Sequence, residues 1–179
     1  MSTTPHNPLR QNVYAAIFGA LTAVGAFIVI PLQPVPITLQ TFFTALAGLL
    51  LGGYAGALSQ VIYILLGVIG LPVFAGGTSG FGTLLGPAGG YLIGFVVAAF
   101  VIGKVVETRL KPGLVWIVLA IILGDLTIYF FGVGQLALVG HLTIPQALMA
   151  GVVPFLIGDA LKLVVAALLS LRLRDILKL

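Results

Sequence analysis

The sequence predicts an all-α integral membrane protein, a bundle of six transmembrane helices that forms a single transmembrane domain over residues 1–179. Its 179 residues are 60% hydrophobic and only 7% charged, with a mean hydropathy of +1.26, whereas soluble domains carry about 25% charged residues. No Asp, Glu, Lys or Arg occurs from Gln11 to Gly103. Lipid can solvate such a stretch, but a soluble surface cannot be built from it. The apolar residues also fall into segments long enough to span a bilayer.

The first predicted helix, 13–30, follows a short polar N-terminus. It ends before Pro31, Pro34 and Pro36, each of which removes a backbone donor and fixes φ. The segment is long for a signal-peptide core and runs into the proline-rich loop without an obvious cleavage site. We therefore interpret it as a retained span.

Glycines and prolines separate the remaining predicted helices. Gly52-Gly53 permits a tight turn between 37–51 and 54–71. The next connection, 72–87, contains five glycines and is predicted to be irregular and closely packed. The last three predicted helices are 89–106, 114–131 and 152–171.

The basic residues predict the orientation. Seven of the eight lie in three regions that six spans place on one side of the membrane: Arg10, Lys104, Arg109, Lys111, Arg172, Arg174 and Lys178. Because Lys and Arg accumulate on the cytoplasmic side, both termini are predicted to be cytoplasmic. We expect a multi-pass protein of the plasma membrane, which is the inner membrane in a Gram-negative source. Membrane lipid then surrounds the chain, and the topology explains the net charge of +4 without a nucleic-acid partner.

The sequence lacks the residues that several kinds of chemistry require. Cysteine is absent, and His6 and His141 have no second ligand at metal-binding spacing, so no metal site is predicted. Neither a Walker A motif nor a hydrolase motif occurs, and we expect neither an enzyme nor a cofactor. Six short helices can enclose one small molecule. A complete alternating-access transporter usually has two repeats, so the chain is predicted to bind a solute that a partner helps to move.

Asp159 and Lys162 form an acid–base pair inside the last predicted helix. At a spacing of three, their side chains project from one helix face. The pair either satisfies itself and stabilises the helix or binds a ligand, and intramembrane ionisable residues favour the second interpretation. A carboxylate accepts hydrogen bonds and an ammonium donates them. Together they match a ligand with N–H groups beside a carbonyl, such as a cyclic urea.

Asp125 is the other charge well inside a predicted span. Three roles are open to it. It pairs with Lys162, it lines the pocket, or it is held by Thr127 and Tyr129.

Two further features have both a functional and a purely structural interpretation. The glycine-rich segment 70–95 offers Phe74, Phe81 and Tyr91 as apolar walls. Because flexible linkers lack aromatic residues, we favour a folded lid over a loose connector. In the first predicted helix, the Ala16-x-x-x-Ala20 spacing makes a smooth stripe that suits either packing within the bundle or docking to another membrane protein.

Three motifs together resemble the BioY family, the biotin-specific S components of energy-coupling factor (ECF) transporters. They are Pro34-Val-Pro-Ile-Thr-Leu-Gln40, the Gly70–Phe95 segment with its Gly-Pro-x-Gly-Gly-Tyr-Leu pattern, and Gly158-Asp-Ala-Leu-Lys162. The resemblance implies a six-helix bundle that binds biotin at its outward side. It also implies a transmembrane coupling protein and ATPase subunits as partners.

The resemblance implies roles for particular residues. Asp159 and Lys162 match the Asp and Lys that contact the ureido ring, and Ala16 and Ala20 match the stripe that docks to the coupling protein. The full set of predicted biotin-binding residues is Asp159, Lys162, Gln40, Thr78, Tyr91, Phe74 and Phe81.

The chain departs from the family pattern in two respects. No Asn follows Asn12, although some members use an amide near the long outer loop. No Lys or Arg lies in the predicted outer loops, so the biotin carboxylate is expected to face solvent or to meet backbone N–H and hydroxyl groups. Two alternatives stay open: an S component for another vitamin, and a structural membrane subunit without a ligand.

Overall fold

The computed structural model describes residues 8–177, and side chains over 9–174. His6 and Lys178, which the sequence places in the tail and after the last helix, lie outside the described residues. The described chain folds into eight α-helices, a two-stranded hairpin and two short 3-10 turns. The helices are α1 Pro8–Phe27, α2 Gln40–Leu51, α3 Gly53–Val68, α4 Phe81–Leu85, α5 Gly89–Glu107, α6 Leu114–Val139, α7 Ile144–Gly151 and α8 Leu156–Leu177.

A hairpin between α1 and α2 corrects the purely helical prediction. Strands β1 (Val29–Ile30) and β2 (Ile37–Thr38) pair antiparallel. Their β-branched residues suit a strand, and the intervening prolines prevent a helix. Consequently α1 ends at Phe27 rather than at residue 30, and α2 begins at Gln40 rather than at residue 37.

The second half of the chain is more helical than predicted. Helix α6 has 26 residues and continues to Val139 instead of ending at residue 131. Gly132 is accommodated because the ring of Tyr91 occupies the space that a side chain there would fill. The predicted connection 132–151 therefore contains the end of α6 and all of α7, and a 3-10 turn at Val153–Phe155 leads into α8.

The segment between α3 and α5, which we call the lid (residues 72–88), is folded. It contains a 3-10 turn at Ala75–Gly77 and helix α4, and three of its glycines have positive φ. The Gly80 N–H donates to the Gly67 carbonyl at 2.8 Å. From α6, Gln135 Nε2 donates to the carbonyls of Leu84 and Gly86 at 2.7 and 2.8 Å. These bonds attach the lid to α3 and α6, as a folded lid requires.

A buried polar network joins α1, α2 and α3. The Gln60 amide donates to Thr22 Oγ1 at 3.2 Å, and its carbonyl oxygen accepts from Thr44 Oγ1 at 3.1 Å. All three side chains are fully or almost fully buried. Among the described residues, no buried side-chain nitrogen or oxygen lacks a hydrogen-bond partner, so this network does not leave an orphaned polar group in the core.

The bundle has two distinct ends. The lid and the β1–β2 hairpin lie at one end, which we call the lid end. At the other, which we call the basic end, Glu107 accepts from the Gly53 N–H and from Lys104 at 2.8 Å each. Arg174 donates to the Leu49 carbonyl at 2.6 Å, also at the basic end. This grouping agrees with the charge pattern from which the orientation was predicted.

Within the part of the chain that the structure describes, three helical segments are long and apolar enough to cross a membrane: Gly89–Glu107, Leu114–Val139 and Ile144–Arg174. Helices α2 and α3 are apolar but shorter. The count of six spans and the cytoplasmic position of both termini stay predictions.

Candidate functional site

A cavity of about 210 Å³ lies beneath the lid. Helices α2, α5, α6 and α8 supply its walls, and lid residues, with the hairpin loop, close its top. Most of its lining is apolar, including Phe95, Ile128 and Phe155, and a few polar side chains converge on one wall. A largely apolar cavity with a few convergent polar groups is typical of a small-molecule site.

The polar wall is built around the pair that the sequence singled out. Lys162 Nζ lies 2.8 Å from Asp159 Oδ1 and donates to Thr41 Oγ1 at 3.0 Å. Thr41 in turn donates to Asp159 Oδ1 at 3.4 Å, and the Tyr129 hydroxyl donates to Asp159 Oδ2 in a short hydrogen bond. Helices α2, α6 and α8 thus meet at one carboxylate.

The polar wall has donor and acceptor positions that no bond within the protein uses. A carboxylate has about four acceptor positions and an ammonium three donors. Asp159 accepts three bonds, from Lys162, Thr41 and Tyr129, and Lys162 donates two. One acceptor position on Asp159 and one N–H of Lys162 remain unused, and both residues line the cavity.

Gln40 lines the cavity, but its amide is engaged within the protein. Its oxygen accepts from Thr38 Oγ1 at 2.7 Å, and its nitrogen donates to the Tyr63 hydroxyl at 2.5 Å. The side chain is 4% exposed. Gln40 therefore helps to hold the start of α2 in place, and one N–H and one acceptor position of its amide stay unused.

The other predicted wall residues differ in how they face the cavity. Phe74 is 1% exposed and packs edge-on against Tyr63, with ring centroids 5.6 Å apart. The Tyr91 ring lines the cavity while its hydroxyl donates to the Gly151 carbonyl at 2.8 Å. Thr78 also lines the cavity, and its hydroxyl donates to the Ala75 carbonyl at 3.2 Å.

Phe81 does not line this cavity, which corrects the prediction that it is one of the walls. Its side chain is 60% exposed and lies in a groove between α4, α5 and α6. The reason is the position of Phe81 at the start of α4, directly after Gly80. From that helix it is Thr83 that faces the cavity.

Two residues of the polar wall were not predicted as ligand-binding. Thr41 directly follows the predicted Gln40, but single-residue spacing does not show which side chain faces inward. Tyr129 was considered only as a partner of Asp125, and in the structure it bonds to Asp159 instead. The four-residue spacing of Asp125 and Tyr129, which places both on one face of α6, is the one sequence signal that linked Tyr129 to the charged centre.

The small residues of α1 fall on two faces. Ala15 and Gly19 are buried, and Gly19 lies against the backbone of Ser59 in α3. Ala16 and Ala20 each follow one of these by a single residue, about 100° further round the helix, and are exposed. Packing within the bundle therefore uses the first pair, and the predicted docking stripe is on the outer surface.

Gly67→Ala is expected to damage the cavity wall. A Cβ at this position overlaps the ring of the buried Phe74, which packs under the lid. Overpacking of this kind typically costs about 1–3 kcal/mol, which corresponds to roughly 2–12 °C in the unfolding midpoint of a chain of this size. The control is Gly82→Ala, where nothing lies within 4 Å of the added Cβ. Thermal unfolding in detergent that gives both variants the same midpoint would contradict the expectation.

Comparisons with known proteins identify a family and relatives that this chain resembles. The family model described as the BioY family matches residues 1–179. A protein of Thermotoga maritima named biotin transporter BioY is 47% identical over 168 residues, which cover 94% of this chain and 98% of the relative. A probable biotin transporter BioY of Pyrococcus horikoshii is 43% identical over 165 residues, 92% of this chain and 96% of the relative.

A crystal structure of the S-component for biotin from an ECF-type ABC transporter also matches. It is 30% identical in sequence, superposes with a TM-score of 0.87, and covers 97% of this chain and 95% of its own. The helical arrangement described above is therefore that of a known membrane protein, and the predicted fold class of a helical membrane protein is confirmed.

Proposed function

We propose, because this chain belongs to the BioY family, that it is the substrate-binding membrane subunit of a biotin uptake system. It captures biotin in the cavity beneath the lid and delivers it inward with an ATP-driven ECF module. The relatives are named biotin transporters, and the matching structure is an S-component for biotin. Binding and transport, rather than chemical conversion of the ligand, are the activity proposed.

The free hydrogen-bonding groups of the polar wall carry this proposal. The unused acceptor position of Asp159 receives one ureido N–H of biotin, and the unused N–H of Lys162 donates to the ureido carbonyl. The second ureido N–H meets the Thr41 or Tyr129 hydroxyl oxygen, each of which lines the cavity. A ligand that leaves any of these groups unpaired binds less well, because buried polar groups require partners.

The apolar part of the cavity suits the remaining rings and chain of biotin. Phe74, Tyr91 and Phe95 line it, and all three are buried. Gln40 and Thr78 complete the lining as weaker candidates for direct contact, since their side chains already bond to the protein.

Biotin methyl ester is expected to bind almost as well as biotin. Among the described residues, Lys162 is the one cationic side chain that lines the cavity, and it is committed to the ureido end. The carboxylate then contributes little, and esterification changes the affinity by less than about threefold, well below the tenfold that 1.4 kcal/mol represents. Competition against labelled biotin measures this. A loss of about 100-fold or more would show that the carboxylate has a dedicated partner.

The exposed stripe of Ala16 and Ala20 is proposed as the docking surface for the transmembrane coupling protein. It is smooth and lies outside the bundle, which allows a partner helix to approach closely. ATPase subunits supply the energy. We place the chain in the plasma membrane with six spans, both termini cytoplasmic and the lid outward, since the basic residues lie at the opposite end from the lid.

Titration of the purified protein with biotin tests the proposal. Saturable binding at one site, with a rise in the unfolding midpoint as biotin is added, is the expected result. Stabilisation by a different vitamin and not by biotin would assign the chain to another substrate. No stabilisation by any vitamin would favour a structural subunit.

A further inference from the structure

Asp125 is an intramembrane carboxylate that the proposed site does not use. It lies near the middle of the 26-residue helix α6 and is half-buried. A charge at such a depth costs about 2.5–3.5 kcal/mol on insertion scales unless it is compensated. We therefore expect neighbouring groups to compensate the charge of Asp125.

The nearest hydrogen-bonding side chains on α6 do not hold Asp125. Thr127 donates to the Leu123 carbonyl at 2.8 Å, and Tyr129 donates to Asp159. Within the described part of the chain, Asp125 makes neither an ion pair nor a side-chain hydrogen bond. Of the three roles predicted from the sequence, the structure contradicts one, since Thr127 and Tyr129 do not hold Asp125. Asp125 also forms no direct ion pair with Lys162.

Asp125 nevertheless lines a small pocket together with Asp159 and Lys162. This pocket of about 10 Å³ is lined by Asp125, Lys162, Asp159 and Thr41, and its other lining side chains are apolar. This volume is about that of one water-sized sphere. Because Asp125 and Lys162 line the same pocket between apolar helices, their charges interact more strongly than they would in bulk water.

We propose that Asp125 is a second counter-ion of Lys162, so that the charged centre is a triad of Asp125, Lys162 and Asp159. The role in binding that follows rests on the proposed function. When a ureido N–H donates to Asp159 and the ureido carbonyl accepts from Lys162, part of the negative charge of Asp159 interacts with the ligand instead of with Lys162. Asp125 then maintains the compensation of Lys162, which stays charged and continues to donate to the ureido carbonyl.

A double-mutant cycle on the ligand-free protein tests the triad. If the two carboxylates are alternative counter-ions, Asp125→Asn and Asp159→Asn each leave Lys162 with one of them. Each single variant then lowers the unfolding midpoint by only a few degrees. The double variant leaves Lys162 uncompensated, and its midpoint is expected to fall by at least about 6 °C more than the sum of the singles. Adding Lys162→Met to the double variant should restore most of that loss, because no buried cation remains.

The controls make the cycle decisive. Glu107→Gln changes a carboxylate at the basic end, far from the triad, and should combine additively with Asp159→Asn. Additive midpoints for Asp125→Asn and Asp159→Asn would overturn the proposal, as would a failure of Lys162→Met to restore stability. If the double variant does not accumulate, recovery of folded protein with Lys162→Met supports the triad, and no recovery contradicts it.

A biotin titration tests the role in binding separately. Asp125→Asn is expected to weaken biotin binding by about three- to tenfold, since a charge partner of Lys162 is lost while its direct contacts remain. Unchanged affinity would overturn this role. Because the stability cycle contains no biotin, its outcome does not depend on whether biotin is the substrate.

Discussion

Asp159→Asn and Lys162→Ala, made separately, are each expected to weaken biotin binding by about 100-fold or more. Asp159→Asn replaces a carboxylate, which only accepts hydrogen bonds, by an amide with one accepting oxygen and one donating NH2 group. An N–H of that amide then faces a ureido N–H or Lys162, and both of these are donors. Lys162→Ala removes the donor to the ureido carbonyl and leaves Asp159 without its ion-pair partner at 2.8 Å. Hydrogen bonds to charged groups contribute about 1.5–3 kcal/mol each, and an unsatisfied buried partner adds to the loss.

The chain contains a matched control for both substitutions. Lys104 and Glu107 form another acid–base pair three residues apart with the same 2.8 Å separation, but at the basic end and about 40% exposed. Glu107→Gln and Lys104→Ala should leave biotin affinity unchanged. Titration calorimetry on purified protein measures all four variants. Affinity preserved in both Asp159→Asn and Lys162→Ala would remove the assignment of the site.

Ala16→Trp and Ala20→Trp are expected to abolish biotin uptake while leaving biotin binding intact. Both side chains are on the outer face of α1, so a bulky ring there does not disturb the cavity, but it prevents close approach of a partner helix. The measurement is accumulation of labelled biotin in cells that contain the energising module, alongside titration of the purified variants. Uptake is expected to fall to background in both.

Two further variants separate docking from folding. Leu126→Trp places the same ring on an exposed position of α6, where uptake should continue. Ala15→Trp places it on the fully buried face of α1, where the protein should fail to fold. Normal uptake in Ala16→Trp and Ala20→Trp would show that the partner contacts another surface.

The sequence was most informative where helix geometry alone determines a contact. Asp159 and Lys162 meet because residues three apart on a helix share a face. Their other partners, Thr41 and Tyr129, are 118 and 30 residues away from Asp159. Such contacts depend on how α2, α6 and α8 pack together, and no local spacing in the sequence encodes that packing.

The errors in the fold have related causes. The prediction ends this helix at residue 131, just before Gly132 and Gly134, yet α6 continues through both. At Gly132 the ring of Tyr91 occupies the space that a side chain would fill, whereas Gly134 lies in open space and simply continues the helix. The residues of β1 and β2 are all β-branched, and three of the four are apolar. The same residues can therefore extend a predicted transmembrane helix or form a strand. Phe81 was assigned to the cavity because it is aromatic and near the lid glycines, whereas the start of α4 directs it outward.

The attachment of the lid has a consequence for the time that a ligand stays bound. Three hydrogen bonds, from Gly80 to Gly67 and from Gln135 to Leu84 and Gly86, hold the lid against α3 and α6. If all three break when the lid opens, at a net 0.5–1.5 kcal/mol each, the open state is roughly 10- to 2,000-fold rarer than it would be without them. Escape of a molecule beneath the lid is slowed by the same factor, so part of its residence time is set by backbone carbonyls that it never touches.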